Sequence, residues 1–323
     1  MKTNNIVKLN HRFITNNRFL LSPKYRLFLM ALPFIVLVFL FNYLPLWGWI
    51  YAFFDYKPGL KLSECVYRGG YFFAIMFNGK INSIETLRVM KNTFGISLLG
   101  YLTTPLPVFF AIFLLEIRTN WYKKLVQTLT TLPNFLSWIL VYAFAFAMFS
   151  TDDGFLNRLL MNLKLIDHPV NYLVSSQHVW LTQTAYSVWK GLGWSAIIYL
   201  AAIVAIEKEL YEAAKADGAG RFTCIWHITI PGILPTYFVL LLLSIASFLN
   251  NGIGQYYTFS NSMNKDTIEV LDLYVYNIGI KHGAEGFNYS FATAIGILKS
   301  LVSVVLLLTA NVLAKKVRGE KII

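Results

Sequence analysis

The stretch EAAKADGAGRF (212–222) lies between two long apolar runs and decides how this chain is built. The run before it is YSVWKGLGWSAIIYLAAIVAI (186–206), and the run after it is ILPTYFVLLLLSIASFL (233–249). A helix needs about 20 apolar residues to cross a bilayer, and each run is close to this length. The polar stretch between them is therefore predicted to be a loop at one membrane face.

The composition favours a membrane protein. Of the 323 residues, 56% are hydrophobic and 14% are charged, whereas a soluble domain carries about 25% charged residues. The formal net charge of +12 would by itself also suit a nucleic-acid-binding protein. The apolar content instead indicates Lys and Arg side chains that anchor helices at a cytoplasmic leaflet. We therefore expect a multi-pass protein of the cell membrane with no nucleic-acid partner.

Hydropathy predicts an all-α fold with six transmembrane helices. The predicted spans are approximately 27–53, 94–115, 125–149, 186–206, 233–250 and 290–313. A transmembrane domain over 27–313 is then flanked by a basic segment, 1–26, and a short tail, 314–323. The first span is too long for a signal-peptide core of about 7–15 residues.

Basic residues predict the orientation. The two terminal segments and the loops 116–124 and 207–232 carry 16 basic residues. The three longer connections on the other side carry 10. Because short cytoplasmic segments are enriched in Lys and Arg, both termini are predicted to be cytoplasmic. The loop 207–232, named here the polar loop, then lies in the cytoplasm.

The first arm of the polar loop is predicted to be a helix that ends at a glycine. KELYEAAKA (208–216) consists largely of strong helix formers. Asp217 and Gly218 follow it, and Gly suits the left-handed conformation after a helix C-terminus.

The second arm is predicted to be a short helix, GRFTCIWHI (220–228). It places Phe222, Ile225 and Trp226 on one face, and Pro231 and Pro235 are expected to end it and open the next span. An exposed apolar face outside the bilayer is typical of a docking surface. The alternative is a hairpin that rests on its own membrane or packs inside the protein.

The spacing E-A-A-x-x-D-G-A, then I-T-I-P and L-P, resembles the EAA loop of binding-protein-dependent ABC importer permeases of the MalF type. The matching residues are Glu212, Ala213, Ala214, Asp217, Gly218, Ala219, Ile228, Pro231, Leu234 and Pro235. Further blocks resemble the LplB-like branch of that family, which handles oligosaccharides or polysaccharide fragments. These blocks are NYLPLWGWIYAFFDYKPG (42–59), RVMKNTFGIS (88–97), TLPNFLSWILV (131–141), WKGLGWSAIIYLAAI (189–203) and YSFATAIGILKS (289–300).

The resemblance implies a type I ABC importer fold and a set of partners. These are a second, similar permease, an ABC ATPase dimer, an extracytoplasmic solute-binding protein and an oligosaccharide substrate. The resemblance implies a coupling loop at about 207–235, which contains the polar loop. It would contact the ATPase through Glu212, Ala213, Ala214, Asp217, Gly218, Ala219, Phe222, Ile225 and Trp226. ATP and Mg²⁺ would then bind to the partner ATPase, and this chain would hold no cofactor.

Motifs of catalysis and metal binding are absent from the sequence. It contains no GxxxxGK[ST] phosphate loop, so ATP hydrolysis is expected only from a partner. Cys65 and Cys224 and the scattered histidines have no metal-ligand spacing, and no catalytic residues are predicted. The main alternative is an ion-coupled secondary transporter, but such proteins usually carry intramembrane acids, and no predicted span contains Asp or Glu. A membrane enzyme of glycan assembly would need catalytic carboxylates, which no motif supplies.

A substrate path is predicted near the end of the fifth span, in SFLNNGIGQYYTFSN (247–261). Amides hydrogen-bond sugar hydroxyls, and Tyr combines an apolar face with a polar tip. The candidate residues are Asn250, Asn251, Gln255, Tyr256 and Lys299. The alternative for the aromatic residues is an interfacial belt.

Two lysines lie within predicted spans. Lys190 is expected near the outer end of its span, where its side chain can reach polar surroundings. Lys299 lies deeper, where a charge is costly, and is expected either to line the path or to pair with a neighbouring subunit.

Overall fold

The computed structural model describes residues 23–78, 80–281 and 289–318. The chain separates into two units, one ending at Ile50 and one beginning at Tyr51, and each is described by itself. The first unit consists of α1 (Pro23–Val38), a π-helical turn (Phe39–Tyr43) and most of a 3-10 segment (Leu44–Phe53). These segments form one apolar helical stretch of 30 residues, which matches the first predicted span.

The second unit begins with a short antiparallel hairpin and continues as helices. In the hairpin, β1 (Phe54–Asp55) pairs with β2 (Val66–Tyr67), and a 3-10 turn (Leu62–Glu64) lies between them. The helices that follow are α2 (Tyr71–Asn78), α3 (Lys80–Leu102), α4 (Leu106–Glu116), α5 (Asn120–Thr131), a 3-10 turn (Leu132–Phe135), α6 (Trp138–Phe149), α7 (Phe155–Asn162), α8 (Val179–Val204), α9 (Lys208–Ala216), α10 (Arg221–Cys224), a π-helical turn (Ile225–Thr229), α11 (Ile230–Ala246), α12 (Gly254–Phe259), α13 (Lys265–Ile268), α14 (Leu271–Tyr276), a π-helical turn (Asn277–Lys281) and α15 (Tyr289–Arg318).

Five helical stretches in the described part of the chain are long and apolar enough to cross a membrane. They are Lys24–Phe53, Ser83–Glu116, Val179–Val204, Arg221–Ala246 and Tyr289–Val312. A sixth is obtained if the bent pair Asn120–Phe135 and Trp138–Phe149 counts as one span. Six predicted spans therefore correspond to these five stretches and the bent pair.

The third predicted span, 125–149, is not one straight helix. Its two halves meet at an angle of 110°. Pro133 has no N–H to donate, and Ser137 begins a new helix as its N-cap, accepting the Leu140 N–H at 3.3 Å. A hydropathy window averages over such a break, which explains why the sequence predicted a continuous helix.

Lys190 stabilises this break. Its Nζ donates to the carbonyl oxygens of Pro133 and Asn134, at 3.3 and 2.6 Å, and lies 5.5 Å from the centre of the Trp138 ring. The prediction that Lys190 lies near the outer end of its span is wrong, because α8 begins at Val179 and Lys190 is near the middle. The ammonium thus adds hydrogen bonds at the break, where the Pro133 carbonyl also accepts the Leu136 N–H of the 3-10 turn, at 3.1 Å.

Helix α8 is the centre of the second unit and packs against α3, α4, α5 and α11. Its close approach to α5 depends on Gly193, where an added Cβ would lie 2.3 Å from the Thr130 carbonyl oxygen. Three apolar clusters form the core of the described part of the second unit, and α8 contributes to two of them. Val141, Ala196 and Ile295 are buried members of these clusters, one of each.

Candidate functional site

A cavity of about 700 Å³ lies among α3, α8, α11 and the segment that follows α11. None of the described side chains that line it is charged. Its wall combines hydroxyls of Ser and Thr residues with aromatic rings. The aromatic residues are Tyr101, Trp138, Trp194, Tyr199, Tyr237, Phe248 and Tyr256. Such a wall can stack on flat apolar faces while bonding to hydroxyl groups.

Asn251, one of the residues predicted for a substrate path, lines this cavity. Its Nδ2 donates to Ser97 Oγ at 3.0 Å, and Ser97 Oγ donates to the Phe248 carbonyl oxygen at 2.6 Å. This chain of bonds fixes the Asn251 side chain against α3.

Gln255 also lines the cavity, but its amide is bonded within the protein. Its Nε2 donates to the carbonyl oxygen and Oε1 of Gln183, at 2.8 and 2.9 Å. Its Oε1 accepts from Ser187 Oγ at 2.8 Å. Gln255 therefore joins α12 to α8 and holds the cavity wall.

Tyr256 is buried at the cavity wall, with 3% of its surface exposed. Burial raises the pKa of the Tyr256 phenol well above its usual value, and the charge of Asp272 adds to this shift. The phenol is therefore neutral at physiological pH, and its O–H can both donate and accept.

Asn250 and Lys299 are not among the residues that line the cavity. Asn250 is exposed. Lys299 Nζ forms an ion pair with Asp272 Oδ1 of the same chain, an arrangement that differs from both alternatives considered from the sequence. Asp272 is a residue that sequence reasoning missed, because it is distant from Lys299 along the chain and lies outside every predicted span.

The polar loop has the predicted first arm and turn. Helix α9 ends at Ala216, and Gly218 has φ +80°. The Gly218 N–H donates to the Lys215 carbonyl at 3.0 Å, and the Ala219 N–H to the Ala214 carbonyl at 2.8 Å. These two bonds are those of a Schellman C-cap. Glu212, Ala213 and Asp217 are exposed, while Ala214 and Ala219 are half-buried.

The second arm differs from its prediction in two respects. Phe222 and Trp226 are 84% and 68% exposed, but Ile225 packs against the apolar cluster around Ala196. The short helix also does not end at Pro231, because Arg221–Ala246 is one continuous helical stretch. Pro231 has no N–H to donate, and it lies just after the π-helical turn Ile225–Thr229, where the hydrogen-bond register of the stretch changes.

Side-chain contacts hold the polar loop to the rest of the unit. Tyr211 and Thr229 join the two arms through their hydroxyls at 2.9 Å. Arg221 Nη1 lies 3.5 Å from Glu116 Oε2 at the end of α4. Sequence reasoning missed these residues, since no local pattern shows which distant partner a surface side chain meets.

Comparisons with known proteins agree with this architecture. Residues 103–319 match the family model described as "Binding-protein-dependent transport system inner membrane component". Protein LplB of Bacillus subtilis is 38% identical over 295 residues, covering 91% of this chain and 90% of that protein. The polygalacturonan/rhamnogalacturonan transport system permease protein YteP of the same organism is 37% identical over 304 residues, covering 94% and 91%.

Solved structures show the same fold. One chain of a bacterial alginate ABC transporter, in complex with an alginate pentasaccharide-bound periplasmic protein, superposes with a TM-score of 0.80. It shares 30% sequence identity, and the match covers 93% of this chain and 97% of that chain. The fold is therefore that of a type I ABC importer permease. The chain belongs to the family of inner membrane components of binding-protein-dependent transport systems.

Proposed function

We propose that this chain is the permease subunit of an ATP-driven importer for an oligosaccharide or a polysaccharide fragment. The observation that carries the proposal is the cavity among α3, α8 and α11. Its volume of about 700 Å³ lies within the range of about 300–1,000 Å³ for small-molecule sites. Aromatic rings, hydroxyls and the Asn251 amide are the groups that a sugar, with its flat faces and many hydroxyls, needs in a binding wall.

The relatives support a saccharide substrate. The name of YteP gives polygalacturonan and rhamnogalacturonan, and the structural match belongs to a transporter of the acidic polysaccharide alginate. In this chain the described cavity wall has no charged side chain, and Lys299 is paired with Asp272. Selection of an acidic sugar would therefore depend on the second permease or on the binding protein.

The polar loop is proposed to receive the movement of an ABC ATPase dimer. Its exposed Phe222 and Trp226 suit a groove on a protein partner. Through Ile225, the same segment packs against the cluster that contains Ile203 and Ile233. A displacement of the docked tip would thus pass to α8 and α11, which both line the cavity.

In this proposal both termini and the polar loop are cytoplasmic, and the extracytoplasmic binding protein delivers the sugar from the other side. ATP and Mg²⁺ are held by the ATPase partner. This chain and a second, similar permease each form half of the path, and ATP binding alternates the side to which the path opens.

The test is uptake by proteoliposomes that contain this chain together with a second permease, the ATPase and the binding protein of its transporter. Oligogalacturonate, rhamnogalacturonan and neutral oligosaccharide tracers are compared. We expect uptake of at least one tracer. This uptake should require ATP on the membrane side that carries the ATPase and the binding protein on the opposite side. Uptake by this chain driven by a proton or sodium gradient without ATP would instead support an ion-coupled transporter.

A further inference from the structure

Asp272 contacts both Lys299 and Gly252 and so joins three separate parts of the chain beside the cavity. Lys299 lies on α15, and Asp272 lies in the first turn of α14. Asp272 uses one carboxylate oxygen for Lys299 and the other, Oδ2, to accept the Gly252 N–H at 2.8 Å. The two charged side chains are 14% and 17% exposed, so both are largely removed from solvent.

Gly252 belongs to the turn 250–253, which is the last part of the connection 247–253 between α11 and α12. It has φ +78°, the left-handed conformation, and its amide is the one that meets Asp272. The preceding residue, Asn251, donates to Ser97 and lines the cavity. The carboxylate of Asp272 therefore holds the backbone at the residue next to the amide side chain that the cavity presents.

A largely buried ion pair is a weak source of net stability, because the cost of desolvating both charges offsets their attraction. Asp272 Oδ2, the carboxylate oxygen that accepts the Gly252 N–H, indicates that the pair holds the backbone in place. A carboxylate accepts hydrogen bonds strongly, and its two oxygens bond two different partners here, the Lys299 ammonium and the Gly252 amide.

We propose that Asp272 is a positioning residue for the substrate cavity. It fixes the turn 250–253 through the Gly252 amide, so that Asn251 is held in the wall, and Lys299 serves as its counterion. The inference rests on the proposed function in that it takes the cavity to be the saccharide site.

The test compares two uncharged pairs of similar shape in the purified full complex. Asp272→Asn/Lys299→Gln keeps an oxygen acceptor for the Gly252 amide, whereas Asp272→Leu/Lys299→Met removes it. Hydrogen exchange of peptides that contain Gly252 is followed by mass spectrometry. We expect a change of less than about tenfold in the first pair, because Asn still accepts the Gly252 N–H although without the charge. We expect roughly tenfold to hundredfold faster exchange in the second pair, which has no acceptor at position 272.

A charge swap, Asp272→Lys/Lys299→Asp, separates positioning from charge neutralisation. It restores an ion pair but places no acceptor at position 272, so we expect assembly with fast exchange at Gly252. Asp153→Asn is the matched control, because Asp153 pairs with Arg158 at a highly exposed site and should leave this peptide unchanged.

Wild-type exchange at Gly252 in the charge swap, or in the Leu/Met pair, would overturn the inference, as would fast exchange in an assembled Asn/Gln pair. The two neutral pairs decide the question even if the charge swap does not assemble. Exchange is measured without any sugar, so its outcome is independent of the uptake assay that tests the proposed function.

Discussion

Replacement of Gly218 by Val is the sharpest test of the polar loop. Gly218 has φ +80°, and its amide and that of Ala219 close the C-terminus of α9. A Cβ added there would meet no heavy atom within 4 Å, so the Cβ itself is not crowded by a neighbour. The whole cost comes from the backbone, because a left-handed conformation costs an L-residue about 1–2 kcal/mol.

This conformational cost is expected to lower the affinity of the ATPase for the polar loop. If the partner ATPase binds only the loop with the native turn, its apparent affinity falls by the fraction of loops that keep this turn. A penalty of about 1–2 kcal/mol corresponds to a roughly 5- to 30-fold loss. The assay titrates purified ATPase against the reconstituted permease and measures the concentration that gives half-maximal binding-protein-stimulated hydrolysis. We expect this concentration to rise by that factor, with capture of the binding protein on the other face unchanged.

Two matched variants control for the substitution itself. Gly218→Asn should have a smaller effect, because Asn tolerates the left-handed conformation. Gly220→Ser adds a side chain two residues away, where φ is −75° and the space is equally open, and should behave like wild type. Wild-type coupling in Gly218→Val, or an equal loss in Gly220→Ser, would refute the argument that the turn conformation sets docking.

Three further outcomes are expected. The purified chain alone should show no ATP hydrolysis, and activity that is lost on mutating this chain would contradict the assignment of ATP to the partner. Asn251→Ala and Tyr256→Ala should reduce uptake at least tenfold without lowering basal hydrolysis, whereas Asn250→Ala, at an exposed position outside the cavity wall, should not; equal effects of all three would rule out the cavity as the saccharide site. Gly193→Ala should lower the thermal stability of the complex, since its Cβ would meet backbone at 2.3 Å and such overpacking costs about 1–3 kcal/mol, while Gly191→Ala, which meets nothing within 4 Å, should cost much less.

Local features of this protein were predictable from the sequence. The lengths of the apolar runs indicated a helical membrane protein, because a bilayer requires about 20 apolar residues per helix whatever the neighbours are. The end of α9 and the left-handed Gly218 were predictable for a similar reason. Helix propensity and the conformational freedom of glycine act over a few residues and need no distant partner.

The candidate site was predictable only in part. The segment 247–261 was recognised from its amides and tyrosines, and the structure places Asn251, Gln255 and Tyr256 at the cavity. Asn250 has the same chemistry as Asn251 but is exposed. Nothing in the composition distinguishes the two, because the turn geometry decides which amide meets Ser97 and the cavity.

The contacts that shape the site were decided by the tertiary structure. Lys190 meets the carbonyls of Pro133 and Asn134, more than 50 positions earlier in the chain, and Lys299 meets Asp272. A sequence shows that a charge inside a membrane needs a partner, because desolvation is costly. Which partner it finds depends on how the helices pack, and that packing is set by non-local contacts such as the approach of Gly193 to Thr130.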